Sequence, residues 1–145
     1  MGQKVNPHGF RVGVIKDWDS RWFANDRKEF GEFIKEDYVL RTYLNKEFYS
    51  SGLSKIEIET SANNIKRDLH VAKPGVVIGK GGAQIEALKT KLEKMTGKKV
   101  ILNIIEVRNI DKDAQLVAEN IAQAIERRIA FRRAMKQSVG RTMKS

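Results

Sequence analysis

Residues 76–82 read Val76-Val77-Ile78-Gly79-Lys80-Gly81-Gly82, an aliphatic run that ends in a loop with glycine at three of its four positions. Glycine lacks a Cβ atom, so another chain can approach the backbone closely at these positions. After the loop, apolar residues recur every three or four positions, which predicts an amphipathic helix that ends near Gly97. These apolar residues are Ile85, Leu88, Leu92 and Met95. The chain therefore has, at its centre, a glycine loop that opens a helix.

The segments on both sides of this unit predict β-strands. Before it, residues 55–59 and 65–71 alternate apolar with polar side chains, and the turn formers at 61–64 separate them. This pattern predicts an antiparallel hairpin with one buried face. After it, the run from 100 to 107 is rich in β-branched residues and has little polarity, which predicts a third strand that is buried in the sheet.

Helices are predicted outside the strands, and an arm precedes them. Apolar residues at helical spacing predict a first helix between 30 and 48, and Asp111 or Asp113 is a suitable N-cap for a final helix toward Met135. Residues 1–25 lack a sustained helical period and predict an extended arm. The predicted fold class is α+β: a two-layer α/β sandwich with a three-stranded sheet and helices on one face, plus the N-terminal arm and a C-terminal helix.

The net charge of the chain points to a polyanionic partner. The formal charge is +10, and all of this surplus lies after residue 60: residues 61–145 carry 18 basic and 8 acidic side chains, whereas residues 1–60 carry 10 of each. A surplus of this size favours binding to nucleic acid. Five basic residues, which we call the basic cluster, crowd the end of the predicted final helix: Arg127, Arg128, Arg132, Arg133 and Lys136.

The basic cluster has two interpretations. In a continuous helix, Arg128, Arg132 and Lys136 lie along one face with Arg133 beside them, and this stripe suits the phosphates of RNA. The alternative is a solvated helix end, at which the cations offset the negative end of the helix dipole. The arrangement of charge along the chain favours RNA contact.

The glycine loop does not match two common nucleotide-binding motifs. A P-loop needs four residues between its first glycine and the Gly-Lys pair, but only three residues separate Gly75 from Gly79, and Gly81 occupies the place of the magnesium-binding hydroxyl. A dinucleotide fingerprint that starts at Gly79 needs glycine where this chain has Gln84. Nucleotide hydrolysis and dinucleotide binding are therefore disfavoured.

Catalytic and metal-binding arrangements are not predicted either. The chain has no cysteine, and its two histidines, His8 and His70, have no spacing that suggests a metal pair or a catalytic base. We expect no enzyme activity, no metal, no cofactor and no small-molecule substrate. The sequence also lacks an apolar run long enough to span a membrane and lacks the layout of an export signal, so we expect a cytoplasmic protein.

The loop and the run before it resemble the signature of KH domains, Val77-Ile78-Gly79-Lys80-Gly81-Gly82. Two adjacent strands before the loop and a third after its helix are similar to the type II order, whereas type I domains begin with a strand. The resemblance implies RNA contacts at Gly79, Lys80, Gly81 and Gly82, where phosphates can meet helix-terminal N–H groups. Phe131 is the only aromatic residue in the basic half, so we expect a grip on the RNA backbone with weak sequence readout.

Longer segments resemble the family of bacterial small-subunit ribosomal proteins that is third in the bacterial numbering. These segments are residues 1–11, 22–24, 74–82, 105–108, 126–128 and 131–136. The resemblance implies a structural protein of the small-subunit head, bound to small-subunit rRNA, beside the proteins numbered ten and fourteen and near the channel through which mRNA enters. It also implies that Arg132, Arg133 and Lys136 face this channel and help to open structured mRNA, and that Lys4 and Arg11 in the arm contact rRNA.

The resemblance also suggests a division of the chain. We expect an arm and the start of the first helix at 1–37, a type II KH domain at 38–108, and a C-terminal helix at 109–145. The last part would begin a linker, because members of the family continue into a second α/β domain. An alternative function is a free KH-type RNA-binding factor that acts on several transcripts outside the ribosome, for which an ordered basic arm is not needed.

Overall fold

A computed structural model describes residues 2–61 and 64–145, except for the side chain of Lys80. Ala62 and Asn63, in the turn predicted between the first two long strands, lie outside the described residues. The α-helices are α1 (Pro7–Arg11), α2 (Arg27–Phe48), α3 (Pro74–Ile78), α4 (Ala83–Thr96), α5 (Ala114–Glu126) and α6 (Phe131–Thr142), and short 3-10 helices lie at Tyr49–Ser51, Lys80–Gly82 and Ile110–Lys112. The strands are β1 (Ser20–Arg21), β2 (Leu53–Thr60), β3 (Asn64–Val71) and β4 (Lys99–Glu106).

The sheet has the predicted hairpin at its centre and one strand that the sequence did not predict. Its strand order is β1-β2-β3-β4. β2 and β3 are antiparallel, while β3 and β4 are parallel because α3, the glycine loop and α4 connect them. The fourth strand, β1, comes from the arm and pairs in parallel with β2 at Ile58 and Glu59. The predicted α+β sandwich is confirmed, with a four-stranded sheet.

One face of the sheet carries the hydrophobic core. Side chains alternate along each strand, and the inward set packs against helices α2, α3 and α4. Leu44, Ile65, Leu69, Leu92 and Val100 are each fully buried. Burial of a side chain of this size contributes roughly 1.5–3 kcal/mol, so these residues hold the two layers together.

The other face of the sheet is open among the described residues, and most of its charges are paired. The Lys55 ammonium lies 2.7 Å from Glu57, and Lys66 lies 3.5 Å from Asp68. β4 is therefore buried on one side only, since Ile101 and Ile105 remain 44% and 40% exposed. The sequence predicted a strand buried in the sheet, and this holds for one face of β4 only, because no second layer of the described chain covers the other face.

The second half of the arm is integrated into the fold by Arg41 of α2. The Arg41 guanidinium donates hydrogen bonds to the Ile56 carbonyl at 2.8 Å and to the Asp19 carbonyl at 2.9 Å. It also donates to the Ser20 hydroxyl at 2.8 Å and to the Asp37 carboxylate at 3.0 Å. One side chain thus connects the arm, α2 and β2. The arm is extended only in part, because residues 7–11 form the helix α1.

An aromatic contact anchors the arm next to this site. The Trp22 ring centroid lies 5.3 Å from that of Phe30 and 5.4 Å from that of Phe33, both on α2. Such edge-to-face and tilted aromatic pairs are worth about 0.5–1.5 kcal/mol beyond the area that they bury. Earlier in the arm, α1 is followed by a turn that is closed by the Gly13 N–H, which donates to the Lys16 carbonyl at 2.9 Å.

Arg67 occupies an inward position of β3 that would ordinarily be apolar. Its side chain is buried in line with Ile65 and Leu69, and its guanidinium nitrogens have no hydrogen-bond partner among the described residues. Burial lowers the pKa of Arg67 to about 10, although the carboxylates of Glu36 and Asp37 on α2 oppose this shift. The group therefore stays charged at neutral pH and lies beneath the acidic turn of α2.

The C-terminal region consists of two helices, where the sequence predicted one. Asp113 is the N-cap of α5, and its carboxylate accepts a hydrogen bond from the Leu116 N–H at 3.0 Å, as the sequence predicted. The helix ends in a Schellman motif: the Arg128 N–H donates to Ile125 and the Ile129 N–H donates to Ala124. Arg128 has the left-handed φ of 62° that this motif requires. The chain then turns before α6 begins.

Candidate nucleic-acid interface

The glycine loop presents its backbone to open space. Gly79, Gly81 and Gly82 have φ angles of 71°, 65° and 80°, a region that L side chains rarely adopt. A Cβ atom at Gly81 or Gly82 would meet no described atom within 4 Å. Gly82 is also the N-cap of α4, and no described side chain caps this helix. No described side chain therefore competes with phosphate oxygens for the first N–H groups of α4.

Gly79 has a different role from the other two glycines. A Cβ atom here would lie 2.7 Å from Cγ of Gln84, so the Gln84 side chain packs directly against the Gly79 backbone. The Gly79 N–H also ends α3 by donating to the Gly75 carbonyl at 3.0 Å. Gly79 thus sets the shape of the loop, while Gly81 and Gly82 leave room for a ligand. Lys80 supplies the fourth position, with a side chain outside the described atoms.

Replacing Gly79 by alanine should lower the free energy of unfolding by about 1–2 kcal/mol, because the left-handed φ becomes strained and the methyl group displaces Gln84. Urea denaturation measures this change. The matched control is Gly75→Ala in α3, where a Cβ atom meets open space and φ is not positive. That variant should be as stable as the parent chain or slightly more stable. Equal losses in both variants would contradict the role assigned to Gly79.

The structure divides the basic cluster between two helices. Arg127 and Arg128 lie at the C-terminal end of α5, while Arg132, Arg133 and Lys136 lie on α6. All five side chains are exposed, and none of them takes part in an ion pair with a described residue. The predicted stripe along a single helix was therefore wrong, because the turn at Arg128 separates its first member from the other two.

The helix dipole accounts for only part of the basic cluster. Arg127 and Arg128 are at the negative end of α5, where cations are favourable. Arg132 and Arg133 are in the first turn of α6, where the dipole is positive, and this turn contains no acidic residue and no described side-chain cap. Each such cation destabilises the free helix by about 0.3–1 kcal/mol. A negatively charged ligand at this turn would offset the destabilisation. Solvent around an unbound helix end would not offset it.

Arg128 adds a second unfavourable contribution to the free energy of folding, at the turn between α5 and α6. Glycine is the usual residue at the left-handed position of a Schellman motif, and a residue with a Cβ atom costs roughly 1–2 kcal/mol there. The chain has an exposed arginine with φ 62° at this position. Strained residues of this kind are concentrated at binding sites, which favours a functional contact for the Arg128 side chain.

The two basic residues predicted in the arm lie far from the basic cluster along the chain. Lys4 precedes α1 and is exposed. Arg11, the last residue of α1, is exposed as well, and its guanidinium donates to the Pro7 carbonyl at 2.9 Å. The candidate interface therefore has three parts: the arm, the glycine loop between α3 and α4, and the basic cluster.

Other kinds of site find little support in the described part of the chain. It contains no group of three or more His, Cys, Asp or Glu side chains that could hold a metal ion. None of its helices is both long and apolar enough to cross a membrane.

The chain is similar to known proteins along its whole length. Residues 39–111 match the KH domain family. Small ribosomal subunit protein uS3 of Clostridioides difficile strain 630 is 72% identical over 145 residues, which are 100% of this chain and 54% of the relative. The proteins of the same name from Agathobacter rectalis and Finegoldia magna are 58% and 59% identical over 145 residues, which cover 66% and 59% of those relatives. This chain thus spans about half to two thirds of their length.

Proposed function

Because this chain belongs to the KH domain family, we propose that it binds RNA, and that it does so as a structural part of the small ribosomal subunit. The observation that carries the proposal is the match of all 145 residues to small ribosomal subunit proteins, at up to 72% identity. The open backbone of the glycine loop supports the RNA-binding part. A structural role in a ribonucleoprotein also requires no catalytic group.

Small-subunit rRNA is the main ligand in this proposal. Phosphates of one strand would lie on the glycine loop, with the backbone of Gly79, Gly81 and Gly82 against the sugar-phosphate chain and the Lys80 ammonium beside it. Lys4 and Arg11 would neutralise phosphates along the arm. Arg127 and Arg128 would contribute a further phosphate contact at the corner between α5 and α6.

The finer parts of the proposal concern mRNA and neighbouring proteins. Arg132, Arg133 and Lys136 would face the channel through which mRNA enters, where cations without a carboxylate partner can hold single-stranded phosphates. The proteins numbered ten and fourteen would adjoin the chain in the head of the subunit. The working division of the chain remains 1–37 for the arm, 38–108 for the KH domain and 109–145 for the C-terminal region. The particle would act in the cytoplasm.

Co-sedimentation tests the ribosomal assignment. The tagged chain should migrate with small subunits when a bacterial lysate is separated on a sucrose gradient, and deletion of residues 2–16 should reduce this fraction severalfold. The deletion stops at 16 because Asp19 and Ser20 hydrogen-bond to Arg41 within the fold.

The matched control for this deletion is Lys28→Gln with Lys35→Gln, which removes two exposed charges of α2 outside the proposed interface. This control should co-sediment normally. Migration of the parent chain at the top of the gradient, with RNA still bound, would instead favour the free RNA-binding factor.

A further inference from the structure

A cleft of about 410 Å³ lies between α2 and α4, beside the glycine loop. We call it the Tyr43 cleft and define it by six of its lining residues: Tyr43, Glu47, Ser50, Val76, Gln84 and Lys91. Its volume is within the range of small-ligand sites and is ample for one planar base. The RNA contacts proposed above leave this cleft without a role.

The Tyr43 cleft is continuous with the glycine loop. Val76 and Gln84 line both this cleft and the depression around Gly79. Gln84 is also held against the Gly79 backbone, where a Cβ atom would come within 2.7 Å of it. A nucleotide whose phosphate lies on the loop can therefore extend its base past Gln84 and into the cleft.

Two opposite charges face each other across the Tyr43 cleft. Tyr43 and Glu47 are one turn apart on α2, and Lys91 on α4 holds its ammonium 4.5 Å from the Tyr43 ring centroid. Glu47 is exposed and has no ion pair with a described residue. A carboxylate acceptor on α2 and an ammonium donor on α4 are thus both available in one open site.

Guanine is the base whose Watson–Crick edge fits this pair of charges. It presents two adjacent donors, N1–H and the 2-amino group, next to the acceptor O6. A carboxylate accepts both donors at once, and an ammonium donates to O6. Adenine and uracil each present only one donor group on this edge, the 6-amino group and N3–H respectively, so either would give the carboxylate a single hydrogen bond.

We propose that the Tyr43 cleft accepts one guanine of the RNA strand whose phosphates lie on the glycine loop. Glu47 accepts the hydrogen bonds from N1–H and the 2-amino group, Lys91 donates to O6, and the Tyr43 side chain forms the wall behind the base. The proposal rests on the RNA binding proposed above. It goes further, because it gives a base preference to a domain that is otherwise expected to contact only the RNA backbone.

Fluorescence anisotropy with labelled ten-nucleotide RNAs tests this preference. The parent chain should bind an oligouridine with one central guanosine roughly tenfold more tightly than the same RNA with adenosine there, as expected for a bidentate base contact. Inosine, which lacks the 2-amino group, should fall between the two. Glu47→Gln should abolish the preference, so that the guanosine and adenosine RNAs bind with equal affinity.

The matched control is Glu32→Gln, an exposed glutamate of the same helix that lies outside the Tyr43 cleft. It should retain the full preference for guanosine. Equal binding of the guanosine and adenosine RNAs by the parent chain would overturn the proposal, as would a preference that survives Glu47→Gln. If the chain binds none of these RNAs, the proposed RNA-binding function fails, and the guanine site fails with it.

Discussion

Replacing both Arg132 and Arg133 by glutamine should weaken RNA binding and yet stabilise the free chain. Loss of two phosphate contacts should lower the affinity at least tenfold at low salt and reduce the slope of log affinity against log salt by about 0.7–0.9 for each contact. Removal of two cations from the positive end of α6 should raise the free energy of unfolding by about 0.3–1 kcal/mol for each charge. Anisotropy over a range of salt concentrations and urea denaturation measure the two effects.

The opposite signs of these effects make the result specific. Arg141 is an exposed cation in the last turn of α6, where the dipole is negative, so Arg141→Gln should lower stability slightly. It provides a control for the removal of charge from the same helix. If the double variant loses RNA affinity and stability together, Arg132 and Arg133 are structural residues, and the proposed contact with mRNA phosphates is wrong.

Replacing Arg41 by alanine should lower the free energy of unfolding by about 2–4 kcal/mol and release the arm. The change removes four hydrogen bonds from one guanidinium, two of them to the backbone carbonyls of Asp19 and Ile56. It also leaves the Asp37 carboxylate, which is largely buried, without its cation. Urea denaturation measures the loss, and a red shift of tryptophan fluorescence reports the exposure of Trp22.

Two variants bracket this result. Arg41→Lys retains the charge but cannot form the same set of hydrogen bonds, so its stability should lie between those of the parent chain and the alanine variant. Arg27→Ala, at the exposed start of α2, should change stability by less than about 0.5 kcal/mol. A loss in Arg41→Ala no larger than that in Arg27→Ala would show that the arm is held by other contacts.

The centre of the fold could be predicted from the sequence because its signals are local. Alternation in β2 and β3, the glycines of the loop and the helical spacing in α4 each depend on neighbouring residues, and all of these elements are confirmed. The resemblance to the ribosomal family is confirmed as well, along the whole chain. Among the candidate site residues, the conformation of Gly79, Gly81 and Gly82 could be predicted for the same reason, because glycine itself allows positive φ angles.

The features that could not be predicted depend on contacts between residues that are distant in sequence, or on a residue type that is unusual at its position. β1 forms because Arg41, about twenty residues further along, supplies donors to Asp19 and Ser20. Arg67 is inward because its strand alternates, and only the tertiary structure shows the acidic turn above it. The final helix divides at Arg128, where the usual glycine signal for a Schellman motif is missing.

The two-residue strand β1 has a consequence for the behaviour of the chain in concentrated solution. It covers part of the outer edge of β2, at Ile58 and Glu59. An uncovered edge strand is a template for edge-to-edge pairing between copies, and natural proteins block such edges. Detachment of the arm would therefore turn β2 into a nucleus for self-association, so we expect light scattering to detect aggregates of Arg41→Ala at concentrations at which the parent chain stays monomeric.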